Sequence, residues 1–234
     1  MATLRILSAG AAQAVTERII GAFKGDTGSE IAADFGAVGA MKARVTSGEP
    51  VDLIILTGTM IEELITAGLV AAGSRFDLGR VGTGVAVRAG ASAPDVSSAN
   101  SLRQSILAAE KIVCPDPAIA TAGKVVMSLM EKLGIAADVR GRLQFFPNGY
   151  AAMGWLAASG SVRDLGITQV TEILPNTGVD YAGPLPDEFQ MKAVYSAGIA
   201  AKAAEPQLAK DFIGRFAGPS ARAMLADAGY ELVS

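Results

Sequence analysis

Val51-Asp52-Leu53-Ile54-Ile55-Leu56-Thr57-Gly58 is the run that settles how the rest of the chain is read. Large aliphatic residues from Leu53 to Leu56 leave a strand no polar face, and strands buried on both faces belong to parallel sheets covered by helices. Thr57-Gly58 ends the run. Met60 to Ala67 then takes helical spacing and stops at Gly68, the residue type that best accepts a left-handed cap. Upstream, Ser47-Gly48-Glu49-Pro50 closes a helix with Met41 and Val45 on one face. Before that helix, Ile31 to Phe35 reads as a strand followed by Gly36-Ala37-Val38-Gly39. Further back, Ala12, Val15, Ile19 and Phe23 mark a helix from Ala11 to Phe23, preceded by a strand at Leu4–Leu7 and the turn Ser8-Ala9-Gly10. Three strand–loop–helix units in succession predict an α/β fold with a parallel sheet and right-handed crossovers.

That sheet also predicts where a ligand goes, because open α/β sheets bind beyond the carboxyl ends of their strands. The candidate contacts are therefore Ser8, Ala9 and Gly10, then Ala37, Val38 and Gly39, then Thr57 and Gly58. All but Val38 are small, so backbone N–H groups can approach a ligand closely. Each residue also has a local reading: Ser8 and Thr57 as helix caps, the glycines as turn formers.

After Leu78 the texture changes. Gly79 to Val87 is a long extended stretch with three glycines, and Gly90 to Asn100 is polar and loop-like. A helix at Ser101–Ala109, a strand at Ile112–Cys114, a Pro115-Asp116-Pro117 turn and a helix running to Leu133 follow. Leu143 to Phe146, Tyr150 to Ala158 and Leu165 to Thr168 repeat the strand–helix–strand grammar, so this portion reads as a second lobe. Its candidate contacts are Thr121, predicted as the N-cap of its helix, Asn148 after Pro147, and Thr168 and Gln169 at a strand end. Lys124 offers a balancing charge one turn beyond Thr121. Met191 to Ala201 is extended again, and two amphipathic helices close the chain. The predicted lobes are residues 1–82 with 197–234, and residues 83–196, joined by two hinge strands that leave a cleft between them.

Composition excludes much chemistry. The chain has 234 residues, 20 Lys+Arg against 23 Asp+Glu and a formal charge of −3, which argues against nucleic-acid partners. Charged residues are 18% of the chain, below the roughly 25% usual for soluble domains, and hydrophobic residues reach 50%. Histidine is absent, so His-based triads, His metal ligands and His proton shuttles are ruled out. With Cys114 alone, neither an internal disulfide nor a thiolate zinc site forms. No dinucleotide fingerprint or Walker motif occurs, and no metal or other cofactor is expected. The strand start near Leu4 leaves no space for a signal peptide, and no apolar run is long enough to span a bilayer. The sequence as it stands predicts a cytoplasmic protein without membrane insertion, or a periplasmic one if a signal peptide has been removed. Nothing in it specifies an oligomeric state.

Several segments resemble the type II periplasmic solute-binding proteins, and among them the molybdate-binding branch. They are Leu4 to Ala12, Phe35 to Met41, Ser47 to Leu53, Asp116 to Lys124, Ser159-Gly160 with Asp164 to Ile167, Ala209 to Ile213, and Ala228-Gly229-Tyr230. The resemblance implies a two-lobe α/β fold with a ligand cleft, and it adds Tyr195 as a hydroxyl contact from the return strand. It departs where the molybdate binders place serine hydroxyls on the oxyanion, since Ala11 and Val38 stand there. Losing two donors to a charged acceptor, at about 1.5–3 kcal/mol each, weakens tetrahedral oxyanions by a factor of hundreds or more. A small organic anion, a carboxylate, is the expected ligand, with a membrane permease as partner if the protein is exported. The alternative implied by the resemblance is a cofactor-independent isomerase of an unsaturated carboxylic acid, like aconitate isomerase. Its base would be a carboxylate, Lys124, a tyrosine or Cys114. A sensor module is a third class, and no helix-turn-helix accompanies it.

Overall fold

The computed structural model describes residues 2–232. The described residues divide into one unit of 2–81 with 193–232, and another of Gly82–Lys192. In the first unit the strands are β1 (Thr3–Ala9), β2 (Glu30–Gly36), β3 (Leu53–Thr57) and β4 (Phe76–Val81). The helices among them are α1 (Gln13–Thr27), α2 (Val38–Thr46) and α3 (Gly58–Thr66). The second unit runs β5 (Thr83–Arg88), α4 (Ala99–Ala108), β6 (Ile112–Pro115), α5 (Thr121–Lys132), α6 (Ala136–Val139) and β7 (Leu143–Phe146). It continues with α7 (Gly149–Ala157), β8 (Leu165–Gln169), α8 (Val170–Ile173) and β9 (Val179–Pro184). The chain then completes the first unit with β10 (Ala193–Ile199), α9 (Pro206–Gly214) and α10 (Pro219–Asp227).

Both sheets follow one plan. The first has the order β2-β1-β3-β10-β4 and the second β7-β6-β8-β5-β9. In each, three parallel strands are followed by one antiparallel strand and a further edge strand. The parallel reading therefore holds for β1, β2 and β3, while β10 enters antiparallel between β3 and β4. The long extended stretch expected at Gly79–Val87 is interrupted at Gly82, and its halves, β4 and β5, pair in different sheets. Residues 193–196, assigned from sequence to the second lobe, pair with β3 and β4 in the first sheet.

Burial explains the strand assignments. Leu53 to Leu56 are fully buried, with β1 on one side and β10 on the other. The edge strand β2 alternates exposed and part-buried positions, and its Asp34 pairs with Arg44 at 2.6 Å. The closing helices pack back on this unit, with the Phe23 and Phe212 rings edge-to-face at 5.2 Å and Phe212 and Phe216 at 6.0 Å. Such pairs contribute about 0.5–1.5 kcal/mol beyond the area they bury.

Asp52 fastens that closure. Its buried carboxylate accepts the Arg5 N–H at 2.8 Å, the Ala204 N–H at 2.7 Å and the Glu205 N–H at 3.0 Å. One side chain thus joins β1 to the start of α9. Replacing it by alanine orphans three backbone donors, two of them at a helix entrance. Asp52→Ala is expected to destabilise the protein by ~2–4 kcal/mol, read as a lowered urea midpoint at unchanged slope, with Asp52→Asn losing less.

Candidate functional site

In the first unit the sequence-predicted contacts converge on one sheet edge. Ser8 lies opposite Phe35 and Ile55 near the ends of β1, β2 and β3. It is fully buried, and its hydroxyl donates to the Ala9 carbonyl at 3.1 Å. Ala9 leads into a single 3-10 turn, Gly10–Ala12, whose Ala11 carbonyl accepts the Tyr230 hydroxyl at 3.0 Å. Ala37 is the extended N-cap of α2, with Val38 and Gly39 its first turn. Thr57 is the extended N-cap of α3, and Gly58 is the first helical residue. Tyr195, buried on β10, sits opposite Thr57 on one side and Gly79 on the other.

The electrostatics come from the helix starts. No side chain caps α2 or α3. Their first-turn N–H groups have no acceptor within their own helix, and the helix dipoles favour negative charge at the same place. Arg75 escaped the sequence reading: a Cβ at Gly58 would lie 2.7 Å from its Nη2 and 3.0 Å from Ser196 Oγ. Arg75 is held by Asp77 and Glu62, each reached at 2.7 Å, and Ser196 donates to Asp77 at 2.6 Å. Burial pushes the Asp77 carboxyl up, but the bonds from Arg75 and Ser196 outweigh it and hold it below the usual range.

In the second unit the expected residues also share a strand-end edge, with different chemistry. Asn148 is the N-cap of α7, and its side-chain carbonyl accepts the Ala151 N–H at 2.8 Å. Gln169 is the N-cap of α8 and is buried. Thr168 is fully buried, and its hydroxyl donates to Glu172 at 2.6 Å. Thr121 is not the N-cap of α5: Ala120 takes that position in extended conformation, and Thr121 is the first helical residue. The reason lies in the preceding turn, where Asp116 accepts Ala118 N–H on its side chain and Ile119 and Ala120 N–H on its carbonyl. α5 has no side-chain cap, Lys124 one turn on is exposed, and Gly123 packs so tightly that a Cβ would lie 2.6 Å from Pro117 N.

Glu172 is the residue the sequence hid most thoroughly. It is buried, and it accepts the Gly149 N–H at 3.0 Å as well as the Thr168 hydroxyl, with the Tyr150 and Gln169 amides adding to the set. Burial raises its carboxyl above the ordinary range despite those bonds. A Cβ at Gly149 would collide with this carboxyl and with the Thr168 hydroxyl, which is why α7 starts on glycine. Two concavities, of about 320 Å³ beside Pro50, Leu69 and Lys202 and about 350 Å³ beside Gln104, Ser105 and Arg163, are lined by residues away from these strand ends. Among the described residues no group of three metal-ligating side chains occurs, and no helix is long and apolar enough to cross a membrane.

A family model for bacterial extracellular solute-binding proteins matches residues 4–231. The chain is 27% identical over 240 residues to aconitate isomerase from a Pseudomonas species, covering 99% of this chain and 88% of that protein. Its fold is similar to the periplasmic molybdate-binding protein of Azotobacter vinelandii, with a TM-score of 0.81, 22% identity and coverage of 99% and 100% of the two chains. It is also similar to the sulfate-binding protein SubI from Mycobacterium tuberculosis H37Rv, with a TM-score of 0.77, 16% identity and coverage of 100% and 88%.

Two titrating groups give testable behaviour. Burial, then the nearby Asp116, pushes the Cys114 thiol up to about 12. Native protein is expected to resist a disulfide reagent near pH 8 and to react once per chain after denaturation. Glu172 holds its proton more tightly folded than unfolded, so its contribution is full below the ordinary carboxylate value of 4.5 and is lost as pH rises through the folded value. Glu172→Gln is expected to flatten that fall and to be the more stable form near pH 8 in urea titrations.

Proposed function

We propose that this chain, which belongs to the bacterial extracellular solute-binding protein family, binds a small organic anion, a carboxylate. The observation that carries the reading is the first unit's strand-end edge, where α2 and α3 begin without side-chain caps. Their N–H groups are fixed by the helices and need no reorganisation to accept a carboxylate, which favours binding. Val38, Ala37 and Ala9 put carbon beside those donors, and Ala11 and Val38 bring no hydroxyl. That pairing suits a ligand with a carbon skeleton better than a compact oxyanion. Ser8, Gly10, Gly39, Thr57, Gly58 and Tyr195 complete the proposed contacts in this unit. Thr121, Asn148, Thr168 and Gln169 are those of the second, Thr168 through its place at the strand end because its hydroxyl is engaged. For a transport receptor the partner would be a membrane permease.

A second reading is favoured by one observation, the 27% identity to aconitate isomerase across nearly the whole chain. Moving a double bond needs a base and donors for the developing negative charge. The amide edge supplies donors. The base would be a carboxylate, a tyrosine or Lys124, since the buried Cys114 thiol stays protonated at neutral pH.

Calorimetric titration with mono-, di- and tricarboxylates, molybdate and sulfate tests the first reading. At least one carboxylate is expected to bind at micromolar Kd, with molybdate and sulfate weaker by about a hundredfold or more. Tight molybdate binding with no carboxylate binding would sink it. Ultraviolet absorbance during incubation with cis- or trans-aconitate separates binding from turnover.

A further inference from the structure

The helix starts differ in how they are satisfied, and that of α7 stands apart from those of α2, α3 and α5. Among the described residues no side chain caps α2 or α3, whereas in α7 every first-turn amide has a side-chain acceptor. Gly149 and Tyr150 give their N–H groups to Glu172, and Ala151 gives its own to Asn148. Glu172 reaches this place from 23 residues along the chain. It is buried, and room for it exists only because Gly149 has no side chain. A carboxyl oxygen accepts an N–H whether the group is ionised or protonated, so the donors are consumed in either state. The same bonds tie the start of α7 to the end of β8, and so hold Asn148 and Gln169 in fixed relation.

We infer that Glu172 is a specificity-determining positioning residue: its own carboxyl fills the anion position at the start of α7. The second unit then meets a ligand there with the Asn148 side-chain amide instead of bare backbone donors. That place accepts a carbonyl or hydroxyl oxygen of the ligand and rejects a further carboxylate. The inference rests on the carboxylate-binding reading and narrows its substrate class to anions that offer a neutral oxygen, not a further acidic group, to the start of α7.

The test is a Kd panel of acetate, succinate and a tricarboxylate against wild type, Glu172→Gln and Glu172→Ala. Glu172→Gln keeps an oxygen for the Gly149 N–H and is expected to retain the wild-type order of affinities. Glu172→Ala frees the donors and is expected to raise tricarboxylate affinity relative to acetate by about tenfold. An unchanged ratio in a folded Glu172→Ala protein, or an equal shift in both variants, overturns the inference. If Glu172→Ala does not fold, amide exchange by NMR on wild type decides. Gly149 N–H is expected to be protected and unmoved on adding the carboxylate, while Val38, Gly39 and Gly58 amides shift; rapid Gly149 exchange or a ligand-induced shift there overturns it. Wild type binding no carboxylate at all would instead bring down the reading on which the inference stands.

Discussion

A helix that begins where a parallel strand ends has nowhere inside itself to put its first amides, and this chain leaves almost no loop between the two. β3 runs directly into α3, β8 directly into α8, and a single residue separates β2 from α2. The unmatched N–H groups therefore collect along one edge of each sheet. The rest of the site follows from how those edges are handled: the starts of α2, α3 and α5 carry no side-chain cap, and the start of α7 is filled from within by Glu172 and Asn148.

Supporting structure is arranged around these edges. In the first unit, Tyr230 holds the Ala11 carbonyl and Asp52 holds β1 against the start of α9, so the turns carrying Ser8 to Gly10 are fixed from behind. Arg75, Asp77 and Ser196 form a second brace against Gly58. In the second unit, Asp116 stabilises the turn before α5 and Glu172 joins α7 to β8. Charged and polar groups are thus used here as fasteners within a chain poor in charge.

Much of this was legible in the sequence where a local pattern forced it. Leu53 to Leu56 announce a doubly buried strand, Thr57 marks its end, and the turns at Ser8 and Gly36 mark the ends of its neighbours. What stayed hidden depends on partners remote in sequence. Glu172 in Val170-Thr171-Glu172 looks like an ordinary solvated charge, and only the coincidence of Gly149 and Thr168 shows its burial; a glycine as the first residue of a helix was the available signal. Thr121 has the right chemistry for a cap, but Asp116 already organises that turn. β9 lies in the Asn176–Gln190 block, where glycine and prolines mask the strand pattern of Val179–Pro184. Arg75 gave no cue, because its neighbour Gly58 reads equally well as a turn former.

β10 occupies the middle of the first sheet, between β3 and β4, yet the chain delivers it only after the whole of Gly82–Lys192 has been made. During synthesis the segment up to Val81 therefore waits with β3 open on one side, an apolar edge of the kind that recruits wrong partners. The contiguous second unit has every strand it needs before the first does. The order of completion on the ribosome thus runs opposite to the order of the N-terminal sequence, and the waiting edge is where a chaperone would be most useful.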